Sequence, residues 1–114
     1  MMRFDVSERE GVVIVALDGE AMGGPDGSAL LDKLHALRLE GRRNVVVDLG
    51  PLRAMNSSGL GMLIAALSSA RNGGGDLRLA AIGERVHTLL VITRLTAVFQ
   101  QFATVDEAVK SFGI

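Results

Sequence analysis

The residues best placed to do chemistry form one polar island, Met55-Asn56-Ser57-Ser58-Gly59-Leu60-Gly61. Two adjacent hydroxyls stand between a β-branched run and an amphipathic stretch. Loops at the carboxyl ends of strands are where α/β sheets place function. The helix that follows would offer unpaired N–H groups and partial positive charge, which suit a phosphate or another anion. Asn and Ser also cap helices, so capping alone accounts for part of the pattern. Gly59-Leu60-Gly61 begins like a dinucleotide-binding loop, but Ile64 stands where the third glycine belongs, and the chain has no Gly-Lys-Ser/Thr. A nucleophile elbow would need a glycine where Met55 stands. Asp76 and His87 follow Ser57 in the chain order of a hydrolase triad, which leaves an esterase-like enzyme as a minor alternative.

The rest of the composition narrows the choice. The chain has 114 residues, the size of one domain, and we expect a single domain over 1–114. Cysteine is absent, which removes disulfides, thiolate chemistry and cysteine metal sites. His35 and His87 are far apart and read as surface or partly buried residues, so neither a metal site nor a cofactor is expected. Twelve basic and thirteen acidic residues give a net charge of −1, which offers no electrostatic case for nucleic acid. With no Trp, no Tyr and four Phe, stacking platforms for bases are nearly unavailable. Met55 and Met62 flank the serines and read either as core filling or as an adaptable apolar contact surface. Arg42, Arg43, Arg53 and Arg71 read as solvated charges. Residues 1–8 are polar and of mixed charge, unlike a signal peptide, and no apolar run approaches a membrane span. The expectation is a soluble cytoplasmic protein without direct membrane insertion.

The elements that must position the island follow from pattern. Val12 to Leu17, bounded by Gly11 and Asp18-Gly19, reads as a strand, with Phe4, Val6 and Glu8 in a shorter partner. Leu30, Leu31, Leu34 and Leu37 recur at helical spacing, and Gly41 is the expected helix stop. Val45-Val46-Val47 does not alternate, which predicts a strand buried on both faces, broken by Gly50-Pro51. A second helix begins after Asn56-Ser57-Ser58, carries Leu60, Leu63, Ile64 and Leu67 on its apolar stripe, and ends at Asn72-Gly73-Gly74-Gly75. Leu77 to Ile82 reads as a strand, and Val86, Leu89 and Leu90 as a third helix. Val98-Phe99 reads as a last short strand, and Thr104 to Glu107 as a capping box before a closing helix. The order ββαβαβαβα predicts an α/β sandwich with a largely parallel sheet core.

Val45-Val46-Val47-Asp48-Leu49 followed by Asn56-Ser57-Ser58-Gly59-Leu60-Gly61 resembles the signature of STAS domains, and more narrowly that of bacterial anti-sigma factor antagonists. Leu17-Asp18-Gly19-Glu20, the glycine turn before Leu77 and the closing helix also fall where that family has them, so the resemblance spans nearly the whole chain. It implies a STAS-like α/β fold, a small mixed β-sheet with helices packed mainly on one side. It implies partner switching without catalysis: the antagonist binds an anti-sigma factor that is also a serine kinase of the GHKL type. Phosphorylation at Ser57 then ends the complex, and a serine phosphatase resets it. Met55, Asn56, Ser58, Gly59, Leu60, Gly61 and Met62 would form the partner-binding surface. Within it, Ser58 would be the helix cap or a second hydroxyl, Asn56 would shape the loop, and Gly59 and Gly61 would admit a partner backbone. Two positions depart from the family pattern. Asn56 replaces the Asp usual before the serine, and Ala21-Met22-Gly23-Gly24-Pro25 lacks the usual acid, so two carboxylates near the serine are missing. Some STAS proteins do not switch, and a scaffold or a subunit of a lipid-transport or signalling complex is the alternative.

Overall fold

Six strands and four helices run along residues 1–113, which this computed structural model describes. The strands are β1 (Met2–Arg9), β2 (Val12–Ala21), β3 (Asn44–Asp48), β4 (Leu52–Met55), β5 (Asp76–Ala80) and β6 (Gln101–Phe102). The helices are α1 (Pro25–Leu39), α2 (Ser57–Asn72), α3 (Glu84–Ile92) and α4 (Val105–Lys110). The sheet order is β1-β2-β3-β5-β6, and β4 also pairs with β2. β1 and β2 are antiparallel and every other pairing is parallel. The sheet is therefore mixed, as the resemblance implies. Among the described residues no helix is long and apolar enough to cross a membrane.

Period-two alternation divides the core into two layers. Val13, Val15 and Leu17 of β2, Val45 and Val47 of β3, and Leu77 and Leu79 of β5 face α1, α2 and α3. Val12, Ile14, Val46 and Ala80 face Ala108 and Val109 of α4. Three helices thus cover one face and a short fourth covers the other. The valine triplet of β3 is buried throughout, as its lack of alternation predicts. Leu17, Leu60, Leu63 and Leu79 are fully buried, each contributing roughly 1.5–3 kcal/mol through removal of apolar surface from water.

Helix ends match their glycine signals. After α1, the Arg42 N–H donates to the Leu37 carbonyl and the Gly41 N–H to that of Arg38, with Gly41 at φ +87°. The same paired closure at Gly74 and Gly75 ends α2. The Thr104 hydroxyl accepts the Glu107 N–H at 3.1 Å, so the cap of α4 forms where the sequence places it.

Several strand expectations change. β2 does not stop at Asp18-Gly19; Gly19 takes φ +86°, the register shifts between Gly19 and Glu20, and the strand runs on to Ala21. Such a bulge needs a residue that tolerates the left-handed region. Leu52–Met55, given no element after the Gly50-Pro51 break, is β4, and it finds its partner along the extension of β2. The last strand is Gln101–Phe102 rather than Val98-Phe99, and Phe99 is instead buried in the main core.

A polar bracket joins β5 to its surroundings. The Arg78 guanidinium donates to Asp76 at 3.1 Å and to the Ser111 hydroxyl at 2.7 Å, and lies 4.0 Å from the centroid of the Phe112 ring. Arg71, expected to be merely solvated, donates to the other Asp76 oxygen at 3.1 Å. Burial raises the proton affinity of Asp76, but hydrogen bonds from Arg78, the Leu77 N–H and Arg71 outweigh it and hold the carboxyl below its ordinary range. The folded chain thus binds this proton less tightly than the unfolded chain. The resulting stability is present above the unfolded aspartate value and is lost as pH falls through the lower folded value. Asp76→Asn is expected to cost about 1–2 kcal/mol in urea denaturation at neutral pH, with the difference from wild type vanishing in acid.

Candidate functional site

The polar island lies at the carboxyl end of the sheet because β4 delivers it there. Met55, the last residue of β4, pairs with Ala21, the last of β2. The Asn56 N–H then donates to the Ala21 carbonyl at 3.2 Å. Asn56 is extended, at φ −108° and ψ −176°, and its side-chain oxygen accepts the Gly59 N–H at 2.9 Å. Asn56 is therefore the N-cap of α2, and of the two roles expected of Ser58, helix cap or second hydroxyl, the cap falls to Asn56. Ser57 and Ser58 occupy the first two helical positions.

A helix start leaves four N–H groups without intrahelical partners. Here the Asn56 N–H is taken by Ala21 and the Gly59 N–H by the Asn56 side chain. The N–H groups of Ser57 and Ser58 are left at an exposed surface, beside two exposed hydroxyls. The first turn carries no acidic residue. The partial positive charge of the helix end is therefore not offset locally by a carboxylate.

The seven neighbours of Ser57 separate into two sets. Asn56, Ser58 and Gly61 are exposed, and Met55 is half-buried. Gly59, Leu60 and Met62 are buried, Leu60 to 2% exposure and Met62 to 6%. A Cβ on Gly59 would overlap the Ala21 carbonyl oxygen, so the close approach that this glycine permits is to β2 of the same chain. Around Gly61 a Cβ would meet only open space. The surface also includes a residue that pattern reading passed over as a contact. Met22 follows Ala21 directly, is 43% exposed, and precedes Gly23, whose backbone packs against Ser58. The pairing of Met55 with Ala21 creates this proximity, and without β4 it could not be seen.

The alternative triad does not assemble. Asp76 begins β5 opposite Asn44, at the amino end of the parallel strands, and is held there by Arg71 and Arg78. Ser57 follows β4 at the carboxyl end. The two stand at opposite ends of the sheet.

Three substitutions separate the roles of these residues. Asn56→Ala is expected to cost about 1 kcal/mol through loss of the cap. Gly59→Ala should cost about 2 kcal/mol or more, because the start of α2 must lift off β2. Gly61→Ala, in open space on the helix surface, should stabilise by about 0.5–1 kcal/mol. Thermal and urea unfolding of the three variants check this order; a neutral Gly59→Ala would overturn the packing argument.

Comparisons with known proteins agree with this fold. An anti-sigma F factor antagonist from Paenibacillus polymyxa is 26% identical over 94 residues, covering 82% of this chain and 80% of that protein. The crystal structure of an anti-sigma factor antagonist from Mycobacterium paratuberculosis has the same fold, with a TM-score of 0.81 at 23% identity over 97% of this chain and 93% of that one. The Bacillus cell fate determinant SpoIIAA in its phosphorylated form has a TM-score of 0.75 at 18% identity, over 96% of this chain and 99% of that one. The family model of the STAS domain matches residues 3–108, a span that holds the sheet except for Met2, the layer of three helices and the serine island. The chain belongs to the STAS domain family.

Proposed function

We propose that this chain is an anti-sigma factor antagonist that works by partner switching, with Ser57 as the switch. In this reading the unmodified protein binds an anti-sigma factor that is also a serine kinase of the GHKL type. A phosphate on Ser57 ends that binding and a serine phosphatase restores it, all in the cytoplasm. The chain acts as substrate and ligand and performs no catalysis itself. The observation that carries the reading is the exposed Ser57 at the first position of α2, on a surface framed by Met55, Asn56, Ser58, Gly61 and Met22. The similarity to an anti-sigma F factor antagonist supplies the class of partner, and the phosphorylated state of SpoIIAA supplies the kind of modification.

The geometry suits a switch that acts on the partner and spares the fold. A phosphate adds nearly two negative charges and three acceptor oxygens. At this helix start it would meet the free N–H groups of Ser57 and Ser58 and the positive end of the dipole, with no acid in the first turn to repel it. The free protein therefore tolerates the charge. A partner covering the same surface must desolvate it or oppose it, which costs a few kcal/mol, about a hundredfold in affinity. Asn56 in place of an acid keeps the cap and lowers the local negative charge that a kinase must accommodate. Gly59, Leu60 and Met62 contribute from beneath by fixing the helix on the sheet.

Wild-type and Ser57→Asp proteins, used as paired baits in a lysate of the source organism, test the reading. A kinase of the GHKL type should be retained by wild type and by Ser57→Ala, and lost on Ser57→Asp. Adding ATP to the captured complex should release wild type and leave Ser57→Ala bound. The thermal midpoint of Ser57→Asp should equal or exceed that of wild type. Equal capture of the same partners by all three baits would mean that Ser57 is not the switch.

A further inference from the structure

In an antiparallel pair, alternate residues turn their N–H and C=O toward the neighbouring strand and the others turn theirs away. The Glu20 N–H donates to the Met1 carbonyl at 3.4 Å, and Met1 stands opposite Glu20 in the register of β1 and β2. The odd-numbered residues of β1 are therefore bonded to β2, and Met2, Phe4, Val6 and Glu8 direct their backbone groups outward. The Asp26 carboxylate confirms this parity by accepting the Met2 N–H at 3.0 Å, which also closes the edge at that point. The backbone groups of Phe4, Val6 and Glu8 lie along the outer side of an eight-residue strand that ends the sheet. A long open edge of this kind is a template for another strand.

We propose that a second copy of this chain occupies the edge, with the two β1 strands antiparallel about a two-fold axis at Phe4. The charges select this register. It sets Arg3 opposite Asp5 of the second copy and Asp5 opposite the second copy's Arg3, on the face where both are exposed. Arg3 already holds Asp18 at 2.7 Å, so charges of alternating sign would run Asp18, Arg3, Asp5 across the junction. On the other face, where Phe4 and Val6 pack against the main core, Phe4 meets its own copy and Met2 meets Val6 of the second copy. An axis at Asp5 would oppose two aspartates, and an axis at Val6 would oppose Arg3 to Arg9. An axis at Ser7 would set Val6 against Glu8 and would draw on Arg9, which is already paired with Asp106. The Phe4 register alone combines opposite charges with apolar contact. The main-chain bonds would be exchanged between the two Phe4 residues and donated from Val6 to the Met2 carbonyl. Each six-stranded sheet would then continue into the other, with both layers of three helices on the same side.

Sedimentation velocity over a wide concentration range tests this. Wild type is expected to show a reversible monomer–dimer equilibrium, and the amides of Phe4 and Val6 should exchange more slowly as concentration rises. Asp5→Arg, which opposes Arg3 to a new cation, should weaken dimerisation about tenfold or more, about 1.4 kcal/mol. Reversing the whole row with Arg3→Asp, Asp5→Arg and Asp18→Arg together should restore it to within a few-fold of wild type. Unchanged circular dichroism in each variant confirms that the fold is kept. A monomer at every concentration, a dimer indifferent to Asp5→Arg, or a triple variant as weak as the single one would each overturn the proposal.

Discussion

The Ala21 carbonyl oxygen accepts the Asn56 N–H and lies directly beneath Gly59, and this contact sets where α2 begins. A side chain on Gly59 would fill the space that the carbonyl occupies. Because the contact is between two backbones, it places the helix start with little freedom, and Ser57 inherits that placement. Leu60, Leu63 and Leu67 then drive the same helix into the core. The exposed serines stand on one of the best-anchored segments of the molecule, although they lie on its surface.

That arrangement would let a charge placed at Ser57 leave the domain folded. The cap is Asn56, so neither serine hydroxyl is needed to close the helix. The core beneath is wholly apolar, and among the described residues no polar or charged side chain is buried. A charge placed at Ser57 would thus point outward, away from the core. Asn56 is as able as an aspartate to cap, while leaving the first turn free of negative charge.

The sheet treats its two faces and two edges differently. One face is covered by α1, α2 and α3. The other is covered only by α4, which is tied down by apolar contacts and by the hydrogen bond of Arg78 to Ser111 with its guanidinium over the Phe112 ring. The α1–α2 contact carries a similar tie, in which Arg38 donates to the Ser69 carbonyl at 2.8 Å and to its hydroxyl at 2.6 Å. At the edges, β6 is two residues long and offers little to pair with, whereas β1 is eight residues long and, among the described residues, is sealed only at its beginning, by Asp26.

Much of this was legible in the chain because it depends on local pattern. The unbroken valine triplet, the glycines after α1 and α2, the Thr104 cap and the serine island each carry a short-range physical signal, and the STAS resemblance rests on contiguous residues. β4 was not legible: Leu52–Met55 is short, follows a Gly-Pro break, and is a strand only because a bulge at Gly19 lets β2 extend to meet it. The roles within the site went the same way. Leu60 and Met62 look like contact residues until the helix is docked, and Gly59 looks like an opening for a partner until Ala21 fills it. Residue type and spacing determined by themselves the four helices, most of the strands and the pair of serines at the start of α2. Tertiary structure alone decided which neighbours face the solvent, because burial and close backbone approach depend on elements far apart in the chain.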